Sequence, residues 1–424
     1  MSETYAPALW ARFSAEMDRL GPFEPHPRLA VAVSGGADSM ALVLLAHEWV
    51  SRLGGEILAL TVDHGLRAAS SDEADITLRR LAAHRIPGRK LTVPGLVRGP
   101  ALAARARDAR YRLLLEACAA DGIPHLLLGH HRGDQVETVM MRALSASTTR
   151  GLAGMPALTE TRFVRLLRPL LDVAPEQLRA FLTASQVTWV EDPSNLEPAA
   201  LRVRLRLLRA DPAGTGEGTL AVVRSSHEAG IWRAERDRAI AHILAERATI
   251  RPEGHAVLSP GPIDPDALAA LLATISGASH APPIDRVAVL ARSLRPATLG
   301  GVQIVPAGRL GPGWLLVREP RAMEHPVTAR PNTIWDGRFR LAGYPPDGFT
   351  NGLTLGALGI ESVRFRNRGG PPALVLHGLP ALRLGEALVA VPHIGVGDPR
   401  WGDQRWSLLF DPRNRAAGAP FQFR

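Results

Sequence analysis

Cysteine is almost missing from this chain of 424 residues, in which Cys118 is the only thiol. One cysteine excludes an internal disulfide, a cysteine-rich zinc site and an iron–sulfur cluster held by this chain alone. Cys118 lies in an apolar helical pattern over residues 111–120. We therefore expect a buried thiol that packs in a core.

Long apolar runs and a secretory leader are also missing. No stretch of 18 or more apolar residues occurs, which argues against a membrane-spanning helix. The amino-terminal residues do not show a charged region followed by an apolar one, as a signal peptide would. We expect a cytoplasmic protein with no membrane association.

Lysine is as scarce as cysteine, because Lys90 is the only one among 50 basic residues. The net charge of +9 favours a polyanionic partner such as RNA or DNA, since a basic surface attracts phosphate. A GC-rich genome that favours arginine is the alternative explanation. The charge therefore suggests a nucleic acid without establishing one.

The length of the chain predicts two or three domains. Apolar β-rich runs alternate with helical patterns over residues 28–190. This alternation predicts right-handed βαβ units and hence an α/β domain with a doubly wound parallel sheet. The predicted strands are residues 29–33, 56–62, 89–93 and 125–129. One predicted helix follows the first strand and ends near residue 50, and two others cover residues 101–120 and 134–144.

Residues 211–218 are rich in glycine and proline, which predicts a linker. The pattern of the sequence changes after it. Helical patterns then predict a small, mostly helical domain. From about residue 299, short β-like runs separated by glycine and proline predict a β-rich or α+β module. The predicted domains are residues 1–212, 219–298 and 299–424.

A glycine-rich turn follows the first predicted strand, within the sequence AVAVSGGADSMALVLL at residues 30–45. Glycines let the backbone approach an anion, and the helix that follows offers free N–H groups and a positive dipole. No lysine follows the glycines, so this is not a Walker A loop. A plain strand–turn–helix corner with an aspartate cap is the alternative, which the full pattern disfavours. The turn comprises Ser34, Gly35, Gly36, Ala37, Asp38 and Ser39.

Two further polar segments follow predicted strands, where ligands of doubly wound sheets bind. VDHGLR at residues 62–67 contains Asp63 and His64, and a structural turn capped by Asp63 is its alternative interpretation. GHHRGDQVET at residues 129–138 places Asp134 in the first turn of a helix, where it can cap the helix or bind a cation. The two histidines of this segment are adjacent rather than four residues apart, as they would be in a zinc-binding helix, which disfavours a transition-metal site.

Two arginine-rich segments offer contacts to phosphate. Arg107 and Arg110 lie one helical turn apart and can share a face, although a solvated basic helix would show the same spacing. Arg202, Arg204 and Arg206 alternate, so they would line one face of an extended segment but fan across a helix.

These motifs resemble the PP-loop, or N-type ATP pyrophosphatase, superfamily, and within it the tRNA lysidine synthetase family. The resemblance covers roughly residues 28–210. Members cleave ATP between the α- and β-phosphates and transfer AMP to a substrate oxygen. Besides the segments above, the resemblance rests on GLAGM at 151–155, RPLL at 168–171, EDPSN at 191–195 and the arginines of 202–206.

The resemblance implies ATP and Mg²⁺ as cofactors and assigns site residues. Asp38 and Asp134 would bind the metal and act in catalysis, and Arg107 would act on the substrate side. The nucleotide would be bound by residues 34–39 together with Asp63, His64, Gly129 and His130.

The chain departs from the family pattern at three positions. Gly133 and Ala103 stand where the family has acidic residues, and Val203 stands where it has asparagine. Without a carboxylate at position 133, Asp38 and Asp134 would have to share the metal.

The resemblance also implies the reaction and its partners. The enzyme would adenylate the C2 oxygen of the wobble cytidine in an isoleucine tRNA with a CAU anticodon, and L-lysine would then displace AMP. A tRNA thiolase, a small-molecule ligase of the same superfamily and a non-catalytic tRNA-binding protein are the alternatives. The sequence leaves the oligomeric state open, with a homodimer among the options.

Overall fold

The computed structural model describes residues 5–65, 69–97, 99–145, 147–191, 201–342, 352–367, 369–397, 407–418 and 421–422. The chain forms two compact units, one of Met1–Glu235 together with Pro420–Arg424 and one of Arg236–Ala419. Within the described ranges, no helix combines the length and the apolar character needed to cross a bilayer.

The first unit contains a six-stranded sheet in the order β3-β2-β1-β4-β6-β5. Its strands are β1 (Arg28–Ala32), β2 (Glu56–Asp63), β3 (Gly88–Thr92), β4 (His125–Leu128), β5 (Leu158–Glu160) and β6 (Arg165–Leu167). Its helices are α1 (Tyr5–Arg19), α2 (Ala37–Arg52), α3 (Ala69–Ala83), α4 (Leu102–Ala120), α5 (Arg132–Leu144), α6 (Thr149–Leu152), α7 (Pro175–Ala184) and α8 (Leu201–Arg209), and α9 (Glu217–Arg247) begins in it.

The sheet is parallel except for β5, which pairs antiparallel with β6. Alternate residues of β1 point to opposite faces of the sheet. Leu29 and Val31 pack in one core with α1, α2 and α7, whereas Ala30 packs in a second core with Leu114 and Cys118 of α4. Helices therefore cover both faces, which confirms the predicted doubly wound α/β fold and the buried position of Cys118.

The segment predicted as a linker is an ordered turn that begins α9. The Asp211 carboxylate accepts hydrogen bonds from the backbone N–H groups of Gly214 and Gly216, each at 3.0 Å, and from the Thr219 hydroxyl at 2.6 Å. Arg132 of α5 donates to the Gly214 carbonyl at 3.0 Å. Residues 211–216 are thus fixed to the first unit rather than forming a flexible connection.

The described residues of the second unit form helices and three small sheets. One of them, in the order β7-β8-β11-β10-β9, pairs Ala256–Leu258 antiparallel with Trp314–Leu316. Because this sheet takes strands from both sides of residue 298, the structure joins in one unit the segments that the sequence divides at 298/299. The helices are α10 (Pro265–Ser276), α11 (Ile284–Arg292) and α12 (Ala373–His377); the strands are β7 (Ala248–Arg251), β8 (His255–Leu258), β9 (Ala297–Leu299), β10 (Val302–Pro306), β11 (Trp314–Arg318), β12 (Val327–Thr328), β13 (Ile334–Trp335), β14 (Phe339–Leu341), β15 (Leu353–Ala357), β16 (Pro380–Leu384), β17 (Ala387–Val391), β18 (Val396–Gly397) and β19 (Leu408–Phe410).

Candidate functional site

The glycine-rich turn between β1 and α2 has a backbone that only glycine adopts without strain. Gly35 has a φ of 86°, and a Cβ atom at this position would lie 2.4 Å from the Thr77 hydroxyl oxygen. The buried Ser39 closes the turn, since its Oγ donates to the Gly36 carbonyl at 2.9 Å and accepts from the Ser34 N–H at 3.2 Å. The first N–H groups of α2, which have no partner within the helix, suit an anion.

The end of β4 packs closely against the start of α2. A Cβ atom at Gly129 would lie 3.3 Å from the Asp38 carbonyl and from the Ser39 Cα. Glycine at this position lets the two loops approach each other. As a result, His131, which follows β4, lies beside Asp38.

His131 connects the two predicted metal ligands. Its Nε2 lies 3.5 Å from Asp38 Oδ2 and 3.7 Å from Asp134 Oδ2. Its Nδ1 accepts a hydrogen bond from the Gly133 N–H at 2.9 Å, and the Asp134 carboxylate accepts one from the His131 N–H at 3.1 Å, which caps α5. With Nδ1 as an acceptor, the neutral imidazole carries its proton on Nε2, where it faces both carboxylates.

The charges of this cluster shift the pKa values of its members. Burial opposes protonation of His131, but the Asp134 and Asp38 carboxylates outweigh it and raise the pKa of His131. Burial also opposes ionisation of Asp134, but His131 and His130 outweigh it and lower the pKa of Asp134. Asp134 is therefore a carboxylate at neutral pH.

The donor set fits Mg²⁺. Asp38 Oδ1 is buried and has no hydrogen-bond partner among the described residues, which is costly for a carboxylate oxygen unless a cation binds it. Mg²⁺ prefers one or two carboxylates and keeps water or phosphate as its other ligands. In the part of the chain that the structure describes, no group of three or more His, Cys, Asp or Glu side chains converges as a metal site. Mg²⁺ binding by Asp38 and Asp134 stays a prediction.

Asp63 organises the loop that follows β2. Its Oδ1 accepts from the Gly65 N–H at 2.9 Å and from the Ser70 hydroxyl at 2.5 Å, and Gly65 has a φ of 62°. The hydrogen bond from Ser70 lowers the pKa of Asp63. This geometry is the structural turn that the sequence left open, whereas Leu66 and Arg67 lie outside the described residues. A contact between this loop and a nucleotide stays a prediction.

A basic and aromatic wall lies around His130, which also interacts with Asp134. It consists of Arg107, Arg110 and Tyr111 of α4, with Arg168 after β6. Arg107 donates to the Tyr111 hydroxyl at 3.3 Å, and its guanidinium lies over the Tyr111 ring at 5.0 Å, while the buried Arg168 interacts electrostatically with Tyr111. Burial lowers the pKa of His130 to about 4, and Asp134 opposes this shift while Arg168 and Arg107 add to it. His130 is neutral at pH 7, so the positive charge here comes from arginine.

The arginines of α8 point in a direction that the sequence did not predict. On the helix, Arg202 and Arg206 share a face that contacts α5. Arg206 donates from Nε to Glu137 Oε1 at 2.8 Å and from Nη2 to Oε2 at 3.3 Å, and Arg202 Nε lies 3.6 Å from Oε2. Arg209 completes this face with a bond to the Gly133 carbonyl at 3.4 Å, whereas Arg204 is exposed.

The structure brings most of the predicted site residues together. The turn of residues 34–39, Gly129, His130 and Asp134 meet where β1 and β4 end, and Arg107 lies in the neighbouring wall. His131 and Glu137 were not among the predicted site residues. Both lie within the 129–138 motif, so they could have been predicted from that motif.

Comparisons with known proteins identify similar proteins and a matching family. The model of the PP-loop domain family matches residues 10–210, so the site belongs to an ATP-binding domain of the PP-loop class. A tRNA(Ile)-lysidine synthase of Mesorhizobium japonicum is 36% identical over 390 residues, which cover 87% of this chain and 84% of that protein. The tRNA(Ile)-lysidine synthase of Ruegeria pomeroyi is 33% identical over 405 residues, 92% of each chain. The U34-tRNA thiolase NcsA of Methanococcus maripaludis is more distant, with 15% identity, a TM-score of 0.46 and coverage of 53% of this chain and 78% of that one.

The chain belongs to the tRNA(Ile)-lysidine synthase family, a family of ATP-dependent ligases. The family resemblance of its motifs is therefore confirmed.

Proposed function

We propose that this chain converts the wobble cytidine of an isoleucine tRNA with a CAU anticodon into lysidine in the cytoplasm. In the first step, the C2 oxygen of cytidine bonds to the α-phosphorus of ATP and pyrophosphate leaves. In the second step, an amine of L-lysine bonds to C2, the C2–O bond breaks and AMP leaves. Family membership supports this reaction, and the site supplies groups for its first step.

The main support for this proposal is the position of two carboxylates beside the anion-binding turn of residues 34–39. Asp38 and Asp134 both lie within 4 Å of His131 Nε2, next to the N-terminus of α2. The backbone of residues 34–39 would hold the phosphates. Asp38 and Asp134 would hold Mg²⁺, which when bound neutralises charge on the phosphate oxygens. His131 sets the spacing of the two carboxylates through its cap on α5.

The wall of α4 supports a nucleic-acid substrate beside the turn. Arg107 is exposed and lies over Tyr111, so a cation and an aromatic ring are presented together. Such a surface binds the backbone phosphates and unstacked bases of single-stranded RNA, which an anticodon loop supplies. Arg107 would therefore bind the substrate in the catalytic site.

The alternative of sulfur transfer finds no support in the only thiol. Cys118 is fully buried, and burial, with Asp121 adding to it, raises its pKa to about 12. A thiolate is the reactive form of cysteine, so this side chain is unsuited to carry sulfur. A non-catalytic tRNA-binding protein would account for Gly133 and Ala103, but it gives no reason for the paired carboxylates.

Incubation with labelled ATP, L-lysine and a CAU-anticodon transcript tests the reaction. AMP should form only when both lysine and the transcript are present, and a transcript with uridine at the wobble position should not react. Asp38→Asn and Asp134→Asn should lower the rate at least about a hundredfold, because charge stabilisation at the phosphate is lost. Asp18→Asn, on the exposed face of α1, is the matched control and should be unaffected. Release of AMP without lysine or tRNA would refute the assignment, and binding of tRNA without AMP formation would support the non-catalytic alternative.

We also propose that the segments 219–298 and 299–424 bind the tRNA. Arg286, Arg292 and Arg295 are exposed in the second unit. Their replacement by glutamine should raise the KM for tRNA and reduce its salt dependence, with little change in the KM for ATP. Equal changes in both constants would contradict this role. Light scattering distinguishes a monomer from the homodimer that the sequence left open.

A further inference from the structure

The segment of residues 151–157, here called the 151–157 loop, comprises the end of α6 and the connection to β5, and it is held by α5. The side chain of Gln135 accepts from the Met155 N–H at 2.7 Å and donates to the Met155 carbonyl at 3.1 Å. Arg142 donates to the carbonyls of Gly151 and Gly154 at 2.8 and 2.7 Å. The helix that carries Asp134 thus fixes one side of this loop.

Arg168 is bound to the far end of the same loop. Its backbone N–H donates to the Ala157 carbonyl at 2.8 Å, and its Nη1 donates to the Pro156 carbonyl at 2.8 Å and to the Thr159 hydroxyl at 3.0 Å. Arg168 is 7% exposed, and its guanidinium interacts electrostatically with Tyr111 of the basic wall. The position of its guanidinium therefore depends on where the backbone of residues 156 and 157 lies.

Residues 421–422 hold this loop from a third side and belong to the same compact unit. The buried ring of Phe421 packs against Ala153 and Ala229, and the guanidinium of Arg233 lies over it at 4.2 Å. The Gln422 carbonyl accepts from the N–H of the fully buried Ala157 at 2.7 Å. Ala157 therefore joins two hydrogen bonds in series, one from its N–H to Gln422 and one from the Arg168 N–H to its carbonyl.

We infer that residues 421–422 position Arg168 in the adenylation site by fixing the 151–157 loop. That the site carries out adenylation rests on the proposed function. The contacts that join residues 421–422 to Arg168 do not depend on it. Loss of the Phe421 ring removes its packing against Ala153 and its cation–π contact with Arg233. Loss of Gln422 leaves a buried N–H without an acceptor at Ala157, which is unfavourable unless the loop moves. A shift of the loop would move the Arg168 guanidinium away from Tyr111 and His130.

Three variants test this inference. Phe421→Ala removes the ring, Phe421→Tyr keeps it, and a chain that ends at residue 420 also removes the Gln422 carbonyl. Phe163→Ala is the matched control, because Phe163 is an exposed aromatic residue of the same unit. If Phe421→Ala does not fold, Phe421→Leu retains apolar volume without the aromatic face that Arg233 contacts. Amide hydrogen exchange and the steady-state rate of AMP formation are measured for each.

Phe421→Ala and the shortened chain should speed exchange of the Ala157 and Arg168 amides by about tenfold or more, because these hydrogen bonds open locally. Their kcat should fall by about tenfold or more, as expected for a displaced site residue, with the KM for ATP within about twofold. Phe421→Tyr should restore both values, and Phe163→Ala should change neither. In an Arg168→Lys background, Phe421→Ala should lower kcat by less than about twofold, because the two changes act on one element.

Two results would overturn the inference. One is that Phe421→Ala and the shortened chain show the same kcat and the same exchange rates of the Ala157 and Arg168 amides as the wild-type chain. The other is a full effect of Phe421→Ala in the Arg168→Lys background, which would show independent action. Failure of the proposed function looks different, since the wild-type chain would then make no lysidine while exchange at Ala157 and Arg168 still responded to Phe421→Ala.

Discussion

The ion pair between Glu137 and Arg206 should hold α8 on the active-site helix α5, and its contribution can be estimated from its burial. The Glu137 side chain is 1% exposed and receives two hydrogen bonds from Arg206, which is 38% exposed. Glu137→Gln keeps the shape of the side chain but removes its charge. Hydrogen bonds to charged groups contribute about 1.5–3 kcal/mol to stability, and the partial exposure of Arg206 lets water replace part of that loss.

We therefore expect Glu137→Gln to destabilise the first unit by about 1–2 kcal/mol, which lowers Tm by about 2–8 °C for a unit of this size. Differential scanning calorimetry measures the shift, and amide exchange over residues 201–209 assigns the transition to the first unit. Glu48→Gln is the matched control. Glu48 pairs with Arg52 at a similar distance of 2.7 Å, but the two side chains are 56% and 60% exposed. Such a pair contributes about 0.5 kcal/mol or less.

A double-mutant cycle with Arg206→Gln separates the pair from other effects of the substitutions. The two changes should be non-additive by about 1 kcal/mol, because each removes the same interaction. The reasoning is refuted if Glu137→Gln lowers Tm no more than Glu48→Gln. It is also refuted if the effects of Glu137→Gln and Arg206→Gln simply add.

Three further predictions concern the turn, a buried histidine and the thiol. Gly35→Ala should raise the KM for ATP at least about tenfold, since a Cβ atom 2.4 Å from the Thr77 hydroxyl displaces the phosphate-binding backbone; an unchanged KM measured by AMP formation would contradict it. Burial lowers the pKa of His255 in the second unit. The unfolded state therefore binds the proton more readily, and stability should fall as pH decreases below about 6.5. His255→Gln should flatten that dependence in urea unfolding, whereas the exposed His242→Gln should not. Cys118 should react with iodoacetamide only on unfolding, because its pKa is raised to about 12; rapid labelling of the folded protein, followed by mass spectrometry, would show this to be wrong.

Local patterns predicted the fold of the first unit closely. The strand expected at residues 29–33 is Arg28–Ala32, and the helix expected at 101–120 is Leu102–Ala120. Periodicity is a property of neighbouring residues, so it needs no knowledge of the rest of the chain. The rule that ligands bind at the carboxyl ends of parallel strands predicted that the segments after the strands face one crevice, and the family resemblance predicted that Asp38 and Asp134 share a metal there.

Features that depend on distant contacts could not be predicted in this way. The role of His131 arises from the approach of Gly129 to α2, which sets the imidazole between two carboxylates. The grouping of residues 236–419 depends on the pairing of β8 with β11, about 60 residues apart in the chain. No local pattern reports either contact.

The arginines of α8 change how the positive charge of the chain is interpreted. The sequence could state only that alternating arginines fan across a helix, not which of them the fold would neutralise. Arg202 and Arg206 face Glu137, so part of their charge compensates a buried carboxylate and is less available to a polyanion. Arg204 points away from this pair and is exposed. We therefore predict that a contact of this segment with phosphate depends more on Arg204 than on the count of arginines, and that it weakens with salt as an exposed charge does.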